Sequence, residues 1–392
     1  MSNSALYFDY AATTPVDERV IQVMVACLGQ AGHFGNPASS SHGFGQQARM
    51  LVEQARQQVA TLVGARSGQI VWTSGATESN NLALKGVAEA YTQRSGKTVG
   101  HIITSQIEHK AILDTAQYLQ GRGVDVTYLA PDADGLISAE AVSAALRDDT
   151  FLVSLMLVNN ELGTVNDIAA IGERVREHGA LLHVDAAQAA GKRPIDLSTL
   201  AVDLMSFSAH KLYGPKGIGA LYVGPRAEKR VLAQIHGGGH EQGLRSGTLA
   251  THQIAGMGAA FALAAESLDK EIAWTQRLND RLCEQLAGIK GLVINGSREQ
   301  RIPHTLSLTF TRHDLDVAAL GKSLAFSSTS ACNSAKNAPS HVLLALGLDA
   351  AAASQTIRLS LGRFTCEADI DGAAGLIQAA LSRPPFWAVA QS

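Results

Sequence analysis

Between residues 69 and 223 short apolar runs of strand length alternate with longer stretches whose apolar residues recur at helical spacing, and this rhythm leaves few architectures open. Residues 69–73 read as a strand. Strand follows at 101–104, helix at 109–120, strand at 124–129, helix at 138–146, strand at 151–158, helix at 168–178 and strand at 181–184. Strands joined through helices line up in one direction, so the pattern predicts an α/β fold with a mainly parallel, helix-covered sheet. Such sheets bind ligands outside the carboxyl ends of their strands, which makes the polar residues there the ones to read for function.

The most informative of these ends follows the apolar run 202–207. Ser208-Ala209-His210-Lys211 and the turn residues after it put Lys211 just past a strand. A lysine there is either a solvated surface charge or an amine held close enough to a cofactor aldehyde to bond to it. Ser208 and His210 offer phosphate donors beside the amine, and Gly214 and Gly217 let backbone approach closely. Lys216, the competing amine, lies between Pro215 and Gly217 at an expected turn tip.

Other strand ends carry candidates with two readings each. Ser74-Gly75-Ala76-Thr77 stands between a strand and a helix beginning near Ala76, and is either a simple cap or an anion site made by free N–H groups and the helix dipole. His109 sits where a loop enters a helix, as a structural or a proton-exchanging residue. Asn160, in Asn159-Asn160-Glu161-Leu162-Gly163, is either a turn residue or a ligand. Asp185 ends an apolar strand, so its carboxylate must find a partner; opposite a protonated cofactor nitrogen is the favoured reading over a helix cap.

Composition narrows the class. A chain of 392 residues, 46% of them hydrophobic, can bury a large core and suggests two or so domains. Its net charge of -3, without long one-signed runs, gives no electrostatic reason to expect nucleic acid or a membrane surface. Cys27, Cys283, Cys332 and Cys366 are widely spaced and form no C-x-x-C pair, which argues against a disulfide framework or zinc knuckle. The start shows no basic and apolar leader, and no apolar run approaches the ~18 residues of a membrane span. A cytoplasmic protein is expected.

The second half reads differently. Residues 235–248 form a Gly-rich loop in which His240-Glu241 begins like a zinc-protease motif, but Leu244 stands where the second histidine is required and no metal site is expected. A long helix over 254–286 carries the chain out of the large domain, with the boundary placed near Leu263: residues 17–262, then 263–392. Strand at 305–310 and helices at 315–322 and 370–381 predict an α+β domain. Residues 327–340 lack apolar periodicity and should form an exposed loop, which cannot easily bury Cys332. Cys27 and Cys283 lie in helical apolar patterns, and Cys366 has no supporting motif. Arg358, in an alternating pattern, and Arg363 are each either structural or a bidentate clamp for a carboxylate.

Taken together and in order, Tyr7-Phe8-Asp9-Tyr10-Ala11-Ala12-Thr13-Thr14-Pro15, the segment Ser206-Phe207-Ser208-Ala209-His210-Lys211-Leu212-Tyr213-Gly214-Pro215-Lys216-Gly217, the cysteine loop and Leu359-Ser360-Leu361-Gly362-Arg363-Phe364 resemble the cysteine desulfurases, class V aminotransferase-fold enzymes that bind pyridoxal 5′-phosphate (PLP). The likeness runs through nearly the whole chain. It implies PLP fold type I, with a mainly parallel seven-stranded sheet in the large domain and an α+β small domain that residues 1–16 complete. For the site it implies that Lys211 holds PLP and acts as general base, and that Ala76 and Thr77 cradle the phosphate beside Ser208 and His210. It sets His109 over the ring, Asn160 and Gln188 near the phenolic oxygen, and Asp185 against the ring nitrogen. Arg358 would bind the substrate carboxylate, Asn36 would belong to the substrate pocket, and Thr248 would reach the phosphate of the neighbouring subunit in a homodimer. The loop resembles the S-S-G-S-A-C-[ST]-S catalytic loop but has Thr329 and Asn333 in place of its glycine and hydroxyl residue. The implied reaction converts L-cysteine to L-alanine, leaves a persulfide on Cys332 and passes the sulfur to an acceptor protein such as an iron–sulfur scaffold. Selenocysteine lyase or cysteine lyase activity, or a sulfur-carrier platform active in complex, remain alternatives.

Overall fold

The computed structural model describes residues 5–96, 100–312, 315–328 and 339–381. Seven strands form the main sheet, in the order Ile70–Thr73, Gly219–Val223, Leu204–Ser208, Leu181–Asp185, Thr150–Met156, His101–Ser105 and Asp125–Leu129. All run parallel except Gly219–Val223, which pairs antiparallel with both of its neighbours. The inner strands are buried along their whole length, as their continuous apolar runs require, whereas the edge strand Asp125–Leu129 is partly open.

The helices that cover this sheet start and stop where local chemistry says they should. Ser138 and Asp167 cap Ala139–Ala145 and Ile168–His178 by accepting from backbone N–H groups three residues on, and Gly179 ends the latter in the left-handed conformation. One buried polar row crosses the sheet interior: His183 Nδ1 pairs with Ser154 Oγ at 2.8 Å and Nε2 with Ser206 Oγ at 2.9 Å. Burial pushes this histidine down to about 3, so it is a neutral bridge between three adjacent strands.

Thr251–Leu286 is one helix of 36 residues, roughly 54 Å long at 1.5 Å per residue. Its first half packs on Gly43–Leu62, and its second half sends Leu278, Leu282 and Leu286 into a second core beneath an antiparallel sheet of Ser327–Ser328, Thr356–Ser360, Thr305–Phe310 and Leu292–Ile294. Phe8 is fully buried in that same core, and Leu6–Tyr7 pairs with Leu324–Ala325. Beyond Phe8 the N-terminal segment turns to the main sheet, where the Thr14 N–H donates to the carbonyl of His210 at 2.9 Å. The helix expected over 315–322 is only Val317–Leu320, with Asp316 capping it and Gly321 at its end.

Candidate active site

A cavity of about 560 Å³ opens at the carboxyl ends of the parallel strands, between the main sheet and the end of the antiparallel one. Ala76, Thr77, His109, Asn160, Asp185, Gln188, Ser208, His210, Lys211 and Arg358 all line it, although they come from six separate stretches of the chain. Asn36 and Thr248 do not line it. Both are exposed, and the Asn36 side chain accepts from the Ala38 N–H within its own turn at 2.9 Å. Cys332 lies outside the described residues, but Ser327, Ser328, Ser340 and His341, on either side of its loop, line the cavity.

Lys211 ends a short 3-10 turn that follows the strand Leu204–Ser208 directly. Its Nζ donates to the carbonyls of Ala11 and Ala12, each at 2.7 Å. The N-terminal segment is therefore a strap across the cavity that places the amine, and it is pinned by Thr14, whose Oγ1 accepts from the Tyr213 N–H at 2.7 Å. No side chain of Ala11 or Ala12 announces this role, because backbone oxygens do the work.

Asp185 is the last residue of its strand and only 6% exposed. Asn80 Nδ2 donates to its Oδ2 at 2.8 Å and the Ala187 N–H to its Oδ1 at 2.9 Å. Both partners are neutral donors, and the carboxylate lines the cavity where a cationic group can meet it. The anion end is built from backbone. Gly75 stands at φ 153° and ψ 175°, a conformation reserved for glycine, and begins the helix Ala76–Ser95 without a side-chain cap. Its first N–H groups lie outside the helical ladder, where the helix dipole favours negative charge. Gly219 makes this approach possible, since a Cβ there would come within 2.6 Å of Gly75 Cα.

Burial, with the nearby Lys211 charge adding to it, lowers the pKa of two of the cavity histidines, His109 and His210. Burial first, then the charges of Lys211, Lys216 and Lys192, push His210 down to about 4. His109 is lowered mainly by burial, with Lys211 and His341 adding and Asp185 opposing. His109 Nδ1 accepts from the Ala111 N–H at 3.1 Å, which leaves Nε2 as the protonated nitrogen of the neutral ring. It is both the cap of Lys110–Gln120 and a cavity residue. Beside it Glu108 is completely buried, accepts from Ser105 Oγ at 2.6 Å and the Met156 N–H at 3.1 Å, and is pushed up to about 8, chiefly by burial.

Gln188 Nε2 donates to the Ala11 carbonyl at 2.8 Å, and its Oε1 accepts from Lys192 Nζ at 2.7 Å. Lys192 belongs to no motif in the sequence, and its spacing of four residues after Gln188 is the signal it carries. Arg358 Nη1 donates to the Asn160 carbonyl at 2.8 Å, while Asn160 Oδ1, Asn80 Oδ1 and Arg358 Nε are buried without a partner among the described residues. Arg363, by contrast, pairs with Asp17 at 2.6 Å and Glu271 at 2.7 Å and lies 4.2 Å over the Tyr213 ring, a structural role. Cys27 is buried, Cys283 half-buried and Cys366 exposed, and none of them lines the cavity. Among the described residues no cluster of three metal-ligating side chains occurs. Glu241 instead pairs with buried Arg56 at 2.7 Å.

Residues 6–372 match the family Aminotransferase class-V. The chain is 57% identical over 387 residues to the cysteine desulfurase IscS of Pseudomonas aeruginosa (strain LESB58), covering 97% of this chain and 95% of that protein. Among solved structures, a NifS-like protein is 38% identical with a TM-score of 0.87, over 96% of this chain and 99% of its own. SspA in complex with cysteine is 41% identical with a TM-score of 0.81, over 92% and 99%.

Proposed function

The chain belongs to the class-V aminotransferase family, and from that premise we infer that it is a cysteine desulfurase, converting L-cysteine to L-alanine with PLP as its cofactor. The observation that carries this reading is convergence: the Lys211 amine, the Asp185 carboxylate and the uncapped helix start at Ala76 share one cavity. These residues fit a phosphorylated pyridine aldehyde, which needs an amine, an anion partner for its ring nitrogen and a phosphate cradle. The unpartnered Asn80 Oδ1, Asn160 Oδ1 and Arg358 Nε, all on cavity-lining residues, also fit a site that completes its hydrogen bonds on a ligand.

PLP supplies an electron sink for the bonds broken at the substrate's Cα and Cβ. The chain's own residues do the rest. Ala76, Thr77, Ser208 and His210 would hold the phosphate, Asp185 would keep a proton at the ring nitrogen, and Asn160 and Gln188 would serve the phenolic oxygen. Arg358 takes the α-carboxylate. Lys211 would hold PLP through its amine and remove the substrate's α-proton, and His109 Nε2 would carry protons to and from the leaving atoms. The Cys332 thiolate attacks the substrate sulfur, forming an S–S bond as the C–S bond breaks, so that one thiol and one L-cysteine become one persulfide and one L-alanine. The acceptor is a sulfur-carrier or iron–sulfur scaffold protein.

Two further readings belong to this proposal. Val25, Leu28, Phe34, Phe44 and Met50 are each more than half exposed within the first fifty residues, and these exposed apolar side chains support a homodimer in which Thr248 serves the neighbouring site. The unpaired thiols support a reducing, cytoplasmic setting, and no helix among the described residues is long and apolar enough to cross a membrane. The functional test is spectroscopic and chemical: protein reconstituted with PLP should show visible absorption and form alanine from L-cysteine. Lys211→Ala should do neither. A wild type that takes up no PLP, or a Lys211→Ala variant with normal absorption and turnover, would overturn the reading.

A further inference from the structure

Arg358 reaches the cavity already engaged. Its side chain is 8% exposed; Nη2 donates to Asp9 Oδ1 at 2.8 Å and to Ser327 Oγ at 2.6 Å, and Nη1 donates to the Asn160 carbonyl at 2.8 Å. Ser327 Oγ in turn donates to Asp9 Oδ1 at 2.9 Å, closing a ring of three groups. A guanidinium has five N–H groups, and those left over are one on Nη1 and the buried, unpartnered Nε–H.

Chain segments far apart in sequence make this arrangement. Ser327 faces Arg358 across an antiparallel ladder, and Asp9 bridges to Ser360 two residues farther along the same strand. Arg358, Ser327 and Asn160 line the cavity, whereas Asp9 does not. The carboxylate thus grips the guanidinium from behind the cavity wall.

A substrate carboxylate bound bidentately needs two parallel N–H donors. Both edges of a guanidinium that offer such a pair include an Nη2 hydrogen, and here Nη2 already donates to both Asp9 Oδ1 and Ser327 Oγ. The substrate must therefore exchange with one of the two acceptors. Ser327 is neutral and faces the cavity, so its bond yields; Asp9 is charged and lies behind the wall, so its bond stays.

Resting on the reading of Arg358 as the group that takes the substrate α-carboxylate, we propose that Asp9 is a positioning residue for that carboxylate. It fixes the plane of the Arg358 guanidinium while the Ser327 hydroxyl holds the place of one incoming oxygen. Asp9 also offsets the arginine charge, so that the site selects a planar carboxylate in register rather than any anion. Recognition of free α-amino acids then depends on a residue of the N-terminal strap whose next residues, Ala11 and Ala12, also hold the Lys211 amine.

The test compares L-cysteine with L-cysteinamide, which lacks the carboxylate charge, on the PLP-loaded enzyme and its Asp9→Ala and Asp9→Asn variants. Wild type should prefer L-cysteine strongly in kcat/KM. Asp9→Ala should lose at least about tenfold of that preference through KM for L-cysteine, with cysteinamide turnover little changed. Asp9→Asn, which can still accept from Nη2 and Ser327, should recover part of it. Calorimetric titration with L-alanine should show weaker binding in the same order. If Asp9→Ala takes up no PLP, Asp9→Asn alone decides. An unchanged preference in the variants, or tighter L-alanine binding, overturns the role of Asp9 while leaving the desulfurase reading intact. A wild type that turns over both substrates equally overturns the Arg358 reading and this proposal with it, and a wild type active on neither overturns the desulfurase reading.

Discussion

Lys192→Met should change the way stability responds to pH. Lys192 is 7% exposed, its Nζ donates to Gln188 Oε1, and burial, followed by the charges of Lys211 and Arg358, pushes it from 10.5 down to about 7. Because the folded value lies below the unfolded one, the unfolded chain binds a proton that the native protein releases between those two pH values. Stability therefore rises as pH climbs from about 7 to 10.5, and below about pH 7 the native state carries the full cost of a buried charge. At ~1.4 kcal/mol per unit, a shift of this size corresponds to roughly 4–5 kcal/mol over the whole window. Methionine has similar length and no charge, and it forfeits one hydrogen bond worth about 1 kcal/mol. The variant should be the more stable protein at pH 6, by a few kcal/mol, and slightly the less stable one near pH 10. Urea-unfolding midpoints of both proteins across this range give the difference, in which groups common to both cancel. Parallel curves would refute the reasoning, since they would mean that Lys192 titrates alike in both states.

Glu241→Gln should lower stability by about 3 kcal/mol, because it leaves the buried Arg56 guanidinium with only the exposed Glu53 carboxylate as a counter-charge while the Trp72 N–H keeps an acceptor. A thermal midpoint within error of wild type would count against that ion pair as the anchor of the Gly-rich loop. Sedimentation should find a dimer at assay concentration, and Thr248→Ala should weaken PLP retention. A fully active monomer would rule out shared sites.

The fold was legible because its signal is local and repeated. Ile168–His178 and Thr305–Phe310 span the residues that their apolar spacing marks, and Lys211 does follow a strand end. Strand order was not legible in the same way: Gly219–Val223 is inserted antiparallel between two strands, a choice made by packing rather than by its own residues. The site divides likewise. Polar residues at strand ends, such as Asp185 and His109, carry their own signal. The carbonyls of Ala11 and Ala12 carry none, and the Asp9–Arg358 pair joins residues 349 apart. Glu241 reads as the start of a metal motif, yet its carboxylate serves a buried arginine, because only the folded chain brings Arg56 to it.

If Cys332 collects the sulfur while Lys211 handles the α-proton, mass spectrometry of the Cys332 peptide after incubation with L-cysteine should find one added sulfur on it in wild type. Cys332→Ala should form no persulfide and almost no alanine, yet still exchange the substrate α-proton with solvent deuterium. Sulfur on Cys27, Cys283 or Cys366 instead, or alanine formation undiminished in Cys332→Ala, would contradict it.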